Sequence, residues 1–338
     1  MKDSGRTYTI GDIAEELGVS KTTVSRAISG KGRIGQETRE RVKRFIEEHD
    51  YRPNGLAKGL AQNKTFNIGL AMPEEFGIGD LPFFQKCING ICQVAAHNDY
   101  DVILFHIGTD LSQMKRVIHN HKADGVILTR TMVNDRSVRL LKENGLPFVV
   151  IGSSDDADVT HADNDHASAC RMLMNLLLSR GLSHFVLIGG NLEYYVNKSR
   201  LRGYQTALAE YPGDAMSRTF LNVTKEPQIV SAVDEALGGD ADCIVCMDDF
   251  ICSRVIARLT ERSARIPADV SVATFYSSML LDHNNPVITG LEFDAAKLGG
   301  IACQMLIDKL DGKAVDDYMS SDYRLLVGNS VRTEPPGA

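Results

Sequence analysis

A chain of 338 residues is longer than one small domain and points to two or three compact units. Its 43% hydrophobic content is enough for buried cores, yet no stretch approaches the run of about 18 apolar residues that crosses a membrane. The net charge of −7 is uneven: residues 1–64 carry 13 Lys and Arg against 9 Asp and Glu, and the other 274 carry 24 against 35. A basic N-terminal unit ahead of an acidic body suits a protein whose first part alone meets phosphates. Solvated surface charge gives the same imbalance, so charge alone does not identify the partner.

Met1-Lys-Asp-Ser-Gly-Arg6 has no apolar run of a secretion signal, so a cytoplasmic location is expected, with no membrane partner. Ile10, Ile13, Ala14 and Leu17 then fall on one face of a first helix. Gly18 suits its end, and Ser20 is a good N-cap for a second helix that buries Val24, Ala27 and Ile28. The outward face of that helix carries Lys21, Thr22, Ser25 and Arg26, a row of hydrogen-bonding groups. Two short helices around a tight Gly-containing turn form a helix-turn-helix, whose second helix enters the DNA major groove. An ordinary helical hairpin with a solvated face has the same local pattern, and the residues that follow decide between them.

A turn-rich Gly30-Lys-Gly-Arg-Ile-Gly35 leads to a third helix over about Gln36–His49, with Val42, Phe45 and Ile46 inward. Pro53 stops it, because proline disfavours helical geometry at Arg52. Asn54 to Gln62 is then about two helical turns weakened by Gly55 and Gly59, at roughly 1 kcal/mol each relative to Ala. Such a segment folds only with help and makes a plausible switch.

Residues 8–70 resemble the DNA-binding headpiece and hinge of the LacI/GalR family. The matching string runs Thr9-Ile-x-Asp-Ile-Ala, Gly18-Val-Ser-x-x-Thr-Val-Ser-Arg26, Thr38-Arg-x-x-Val42, Tyr51-x-Pro-Asn-x-Leu-Ala-x-x-Leu60 and Ile68-Gly-Leu70. The resemblance implies that Lys21, Thr22 and Arg26 read bases; Arg26 suits bidentate bonding to guanine. Ser20, Thr23, Ser25 and Tyr51 would hold phosphates or pack. Leu60 matches the family's wedge leucine, which enters the minor groove and kinks the DNA, with Asn54 and Ala57 as its groove-facing neighbours. Without the headpiece upstream, a buried linker leucine would be the simpler reading.

From Phe66 onward short apolar strands alternate with amphipathic helices, which predicts parallel sheets covered on both faces. The expected strands are Asn67–Ala71, Val102–His106, Gly125–Thr129, Phe148–Ile151, Phe185–Ile188, Cys243–Met247 and Ser271–Phe275. A seam is expected near Thr160–Asp165 and a second crossing near Asn285–Thr289, after which helix Ala295–Leu310 and strand Tyr323–Val327 return to the first lobe. The predicted organisation is a headpiece over 1–52, a hinge over 53–65, and a body over 66–338. Its lobe 1 spans about 66–162 and 289–328, and lobe 2 about 163–288. The family resemblance implies the same fold class: an all-α helix-turn-helix headpiece plus an α/β periplasmic-binding-protein-like body of two Rossmann-like lobes that clamp a small molecule.

Ligands of open α/β sheets sit at the C-terminal strand ends. Aromatics beside Asp and Arg collect there: Phe83 and Phe84, Tyr194, Tyr195 and Arg200, Asp248 and Phe250, and Tyr276. Rings cover the apolar face of a sugar, and charged groups bond its hydroxyls. By resemblance, Arg200 matches the family's effector-binding arginine, Asp248 stands in its Asn-Asp pair, and Phe83 and Phe84 match its aromatic pair. Two motifs depart from the family, Thr274-Phe-Tyr-Ser277 and Pro286-Val-Ile-Thr-Gly-Leu291. The first puts Tyr276 where an acidic ligand residue is usual. Pro147-Phe-Val-Val-Ile-Gly152, His161-Ala-Asp-Asn-Asp165, Ile188-Gly-Gly190 and Arg200-Leu-x-Gly-Tyr204 look most like the maltose-operon repressor branch. That likeness implies a gluco-oligosaccharide effector, with Tyr194, Tyr195 and Tyr276 free to stack on its rings.

Of seven cysteines, Cys243 and Cys246 form a CxxC, but inside an apolar run with no second ligand pair, so no metal is expected. No phosphate loop, dinucleotide fingerprint or catalytic triad is evident, and no cofactor is expected. The expected function is a homodimeric transcription repressor that binds double-stranded operator DNA under control of a sugar, without enzymatic activity. The alternatives are a sugar-processing enzyme fused to a headpiece, or a free sugar-binding protein with the same two-lobed body.

Overall fold

The computed structural model describes residues 8–30, 32–49, 51, 59–60, 62–74, 81–154 and 156–333. The chain divides into two compact units, Met1–Thr65 and Phe66–Ala338.

The first unit is built on helices α1 (Ile10–Glu16), α2 (Lys21–Ser29) and α3 (Gln36–Glu48). A reciprocal cap starts α1: Asp12 N donates to Thr9 Oγ1 at 3.3 Å and Thr9 N to Asp12 Oδ2 at 2.7 Å. Gly18 turns the chain with φ of 63°, and Ser20 Oγ accepts from Thr23 N at 3.1 Å to start α2. Ile13, Ala14, Val24, Ala27 and Val42 are buried at the centre, with Ile10, Ile28, Phe45 and Ile46 packed around them. Five buried side chains make a small core, so each matters; emptying the Val24 position forfeits about 1.5–3 kcal/mol of burial. Arg41 adds a long-range tie, donating to the Leu17 carbonyl at 3.0 Å.

The second unit holds two six-stranded sheets of the same doubly wound design. In the first the strand order is β11-β5-β4-β3-β1-β2, and in the second β12-β10-β9-β8-β6-β7. The first comprises β1 (Asn67–Pro73), β2 (Asp101–Ile107), β3 (Gly125–Leu128), β4 (Phe148–Ile151), β5 (His161–Asp163) and β11 (Tyr318–Ser320), all parallel. The second comprises β6 (His184–Ile188), β7 (Met216–Phe220), β8 (Cys243–Cys246), β9 (Ser271–Thr274), β10 (Thr289–Phe293) and β12 (Tyr323–Leu326). Only its β10–β12 pair is antiparallel, with Phe293 opposite Tyr323. Central strands β3, β4, β8 and β9 are buried at every residue, as strands covered on both faces must be.

Helices α4 (Leu81–His97), α5 (Ser112–His119) and α6 (Arg136–Glu143) cover the first sheet, joined by α11 (Ala295–Leu310). The second carries α7 (His166–Ser179), α8 (Tyr195–Glu210), α9 (Glu226–Leu237) and α10 (Asp249–Glu261). Helices α4 and α11 meet backbone to backbone: a Cβ on Gly90 would stand 1.9 Å from the Ala296 carbonyl oxygen, and one on Gly299 2.2 Å from that of Cys87. Only glycine permits that approach, which draws the late helix α11 into the first lobe.

The lobe boundaries differ from expectation. The chain crosses after β5, again between β10 and α11, and a third time between β11 and β12. Strand β10 (from Thr289) and the strand from Tyr323 therefore belong to the second lobe, and Tyr318–Ser320 is what returns to the first. The cause lies in the tail beyond β12. Ser330 Oγ donates to Val272 O at 2.6 Å, Ser330 N to Val287 O at 3.1 Å, and Arg332 to the Pro267 carbonyl at 3.1 Å. These bonds hold the chain end on the second lobe, and Tyr323–Leu326 must run beside it.

Candidate functional site

Helix α2 separates its residues by face. Val24 and Ala27 are buried, whereas Lys21, Thr22, Ser25 and Arg26 are exposed. The Ser20 and Thr23 hydroxyls bond each other at 2.8 Å at the start of the helix, so their first role is capping. The Arg26 stem lies against Gly32, where an added Cβ would come within 3.1 Å of Arg26 Cδ, and Gly11 is equally close to Lys21 Cε at 3.2 Å. Two glycines thus leave room for the two cations. Tyr51 is half-buried against the headpiece core, and its amide donates to Ile46 O at 3.0 Å. Burial lifts its phenol above the ordinary tyrosine range. Of the hinge residues, Asn54 and Ala57 lie outside the described residues. Leu60 is described, is helical and is 88% exposed, and just beyond it Lys64 N donates to Gly59 O at 3.0 Å. An apolar side chain so exposed offers a surface to a partner.

A cavity of about 750 Å³ lies between the lobes of the body. Its walls come from the C-terminal ends of strands in both sheets: Thr129–Thr131 after β3, Asp163 and Asn164 at the end of β5, Gly190 and Asn191 after β6, Asp248–Ile251 after β8, and Tyr276 after β9. Each sheet reverses its winding direction between its first and third strands, β1/β3 and β6/β8, where a doubly wound sheet opens a crevice. Phe83, Phe84, Tyr194, Arg200, Asp248, Phe250 and Tyr276 all line this cavity, as expected. Tyr195 does not: it is 8% exposed and packs under Lys198, whose Nζ stands 5.1 Å from its ring centre. As first residue of α8 it is rotated about 100° from its neighbour Val196, which does line the cavity.

Asp249, next to Asp248, lines the same space, as do several polar groups that pattern reading passes over: Arg130, Asp163, Asn164, His166, Asn191 and Asn197. Asn164 Oδ1, His166 Nδ1, Arg200 Nε and Asp249 Oδ2 are buried with no hydrogen-bond partner among the described residues. Such groups cost roughly 1–3 kcal/mol each when left unpaired, which marks a site built for a polar occupant. Rings stand beside them, with the Arg200 guanidinium 5.7 Å from the Tyr276 ring centre and Phe83 edge-on to Tyr276 at 6.3 Å.

Burial dominates the electrostatics. Desolvation pushes the Asp249 carboxyl from 3.8 up to about 7, against the opposing bond from Ser278, and the neighbouring Asp248 adds to the rise. Asp163 is likewise raised by burial, partly offset by bonds from Ser153 and the Asn164 amide. His166 is pushed well below the usual histidine range, first by burial and then by the Arg200 charge. Its 3.8 Å approach to Asp163 therefore joins a neutral imidazole to a carboxyl and is no ion pair. Asp248 spends Oδ1 on the Ile251 amide at 2.8 Å, capping α10, and Asp249 Oδ1 accepts from Phe250 N at 2.8 Å. The cavity can thus accept from and donate to hydroxyl groups at low net charge, with rings for apolar faces.

Comparisons with known proteins fall on both units. The family model for bacterial regulatory proteins, lacI family, matches residues 9–54, and that for a periplasmic binding protein-like domain matches residues 174–331. The HTH-type transcriptional regulator MalR of Staphylococcus xylosus is 28% identical over 334 residues, covering 96% of this chain and 97% of that one. The transcriptional regulator CelR in its cellobiose complex aligns with a TM-score of 0.68 at 25% identity, over 96% of this chain and 99% of that one. The lac repressor dimer bound to operator and an anti-inducer shares the fold, with a TM-score of 0.76 at 20% identity over 97% of this chain and 100% of that one. The helix-turn-helix with its exposed polar row, the two doubly wound lobes and the cavity between them thus occur in one chain in the order these relatives have them: a headpiece of the lacI family of bacterial regulatory proteins joined to a periplasmic binding protein-like body.

Proposed function

We propose that this regulator is a homodimeric repressor that sets two copies of α2 on a pseudo-palindromic operator. A sugar held in the interlobe cavity controls its grip. Lys21, Thr22 and Arg26 read base edges, Ser20, Thr23, Ser25 and Tyr51 meet phosphates or support the helix, and Leu60 wedges into the minor groove, with Asn54 and Ala57 as its groove-facing neighbours. The effector is a gluco-oligosaccharide of the maltose kind, covered by Phe83, Phe250, Tyr194 and Tyr276 and bonded by Arg200 and Asp248. The relatives' names, MalR and a CelR–cellobiose complex, support a glucose-based oligosaccharide. Closure around it and DNA binding are coupled reciprocally, so a sugar that weakens the operator complex is itself bound more weakly by the DNA-bound protein.

The observation that carries the effector reading is the cavity itself. At about 750 Å³ it falls within the range of small-molecule sites, roughly 300–1,000 Å³, and it combines partnerless buried donors and acceptors with aromatic walls. An enzymatic reading would rest on the adjacent carboxylates Asp248 and Asp249. Both spend an oxygen on fixing the start of α10, which favours binding over turnover. Calorimetric titration of the full chain with maltose, maltotriose and cellobiose tests the proposal. Saturable binding without product formation, lost in Arg200→Ala, is expected. Turnover of any of these sugars would refute the non-enzymatic reading, and no binding of any would refute the effector class.

A further inference from the structure

The two lobes touch across the cavity at a short backbone pairing that the DNA-reading proposal does not use and that the sugar-binding proposal shares only through the Tyr194 ring. Met132, in the loop after β3, bridges antiparallel to Tyr194, at the start of α8. Val133 N donates to Glu193 O at 2.9 Å, and Tyr195 N to Thr131 O at 3.3 Å. This is one rung of sheet with one partner from each lobe. Immediately before it, Arg130 places its guanidinium 4.4 Å from the Tyr194 ring centre and 5.4 Å from that of Phe84. A ring from each lobe therefore flanks one planar cation. Arg130, Thr131 and Tyr194 line the cavity, while Met132 is 41% exposed and Glu193 is exposed, so the pairing spans from cavity wall to solvent.

We propose that Arg130 and the Met132–Tyr194 bridge form a latch that shuts the interlobe cavity. The inference rests on that cavity being the ligand site. A pairing this small holds by addition: two backbone bonds and a cation–π contact, each weak alone. The sum is enough to bias closure and small enough to open on the microsecond-to-second scale of lobe motions. Arg130 is a positioning residue here. Its flat guanidinium matches the ring of Tyr194 as a lysine ammonium would not, and it leads directly into the bonded segment.

The bridge geometry supplies its own test. Residues opposite each other between the two flanking bonds are a non-hydrogen-bonded antiparallel pair, with Cα atoms about 4.5 Å apart, inside the range a disulfide spans. Full-length Met132→Cys/Tyr194→Cys, in a Cys92→Ser background to remove the exposed thiol, is oxidised mildly and followed by hydrogen exchange with mass spectrometry, before and after reduction. The latch predicts ready disulfide formation, and exchange over residues 129–131, 190–197 and 248–251 slowed roughly tenfold by oxidation and restored by reduction. In a second set, Tyr194→Ala and Arg130→Ala speed exchange of the Val133 and Tyr195 amides, whereas Tyr194→Phe leaves it as in wild type. Failure of the thiols to couple, exchange indifferent to the cross-link, or Tyr194→Ala matching wild type would each overturn the latch. Neither readout uses sugar or DNA, so such a failure leaves the regulator reading standing, and indifference to every sugar leaves the latch standing.

Discussion

The headpiece and the body both present polar groups to a partner, and they do so in opposite ways. On α2 the candidate reading groups Lys21, Thr22, Ser25 and Arg26 are exposed at the surface, where DNA can reach them. In the body, Asn164, His166, Arg200 and Asp249 are buried with atoms that find no hydrogen-bond partner among the described residues. The first arrangement costs little in the free protein and leaves recognition to charge and shape at a groove. The second stores an unpaired-group penalty that an occupant relieves, so it selects a ligand with hydroxyls in the right places. A regulator needs both kinds: a surface that samples many DNA sites with weak commitment, and a cavity that discriminates one small molecule.

The largest break in this contrast should come from Arg200→Ala. It removes a buried cation beside Tyr276 and Asp249, and it is expected to abolish the sugar response while operator affinity stays within about twofold, as measured by gel shift with and without sugar. Full response in that variant would take Arg200 out of the site. Arg26→Ala comes next. Losing a bidentate base contact costs about 1–3 kcal/mol, so the ratio of operator to random-DNA affinity should drop roughly 5- to 150-fold, with little change in random-DNA binding. An equal loss on both DNAs would make Arg26 a phosphate contact instead.

Leu60→Ala sharpens the comparison at the hinge, where an apolar group is exposed as the polar ones are on α2. Operator affinity should weaken several-fold and the bend angle by circular-permutation gel shift should fall; bending like wild type would remove the wedge. The smallest effect concerns Asp249. Its carboxyl is held near 7 in the folded chain against 3.8 ordinarily, so between about pH 4 and 7 the unfolded chain releases a proton that the folded one keeps. Stability from this group therefore falls as pH rises through that window and is level above it. The buried neutral His166 acts in the opposite direction, losing stability as pH drops below its ordinary 6.5. Comparing Asp249→Asn with wild type isolates the carboxyl. The melting-temperature advantage of the variant should grow by several °C from pH 5 to 8, and a constant difference across that range would mean that Asp249 is not held protonated.

The legible parts of this molecule were those whose burial follows a simple period. Val24 and Ala27 against Lys21 and Arg26 separate cleanly on a helical wheel, and the all-apolar β3, β4 and β8 announce two-sided burial. Edge strand β7 was missed because Met216–Phe220 is mostly exposed and carries no apolar period. The crossings were misplaced because they depend on contacts far apart in sequence: Gly90 against Ala296, and Ser330 against Val272. Arg130, Asp163 and His166 are not legible because a polar residue after a strand looks like any loop residue until the second lobe buries it. Resemblance supplied Arg200 and Asp248, and the fold brought the others to them.

The measurement that bears most directly on the central claim is fluorescence anisotropy of the full-length protein. The probe is a palindromic operator from its own upstream region, titrated at fixed salt with maltose, maltotriose and a panel of other sugars, because phosphate contacts make affinity salt-dependent. The account predicts tight, sequence-specific binding that one glucose-containing oligosaccharide releases. Tight binding that no sugar alters, or no preference for the operator over random DNA, would contradict it.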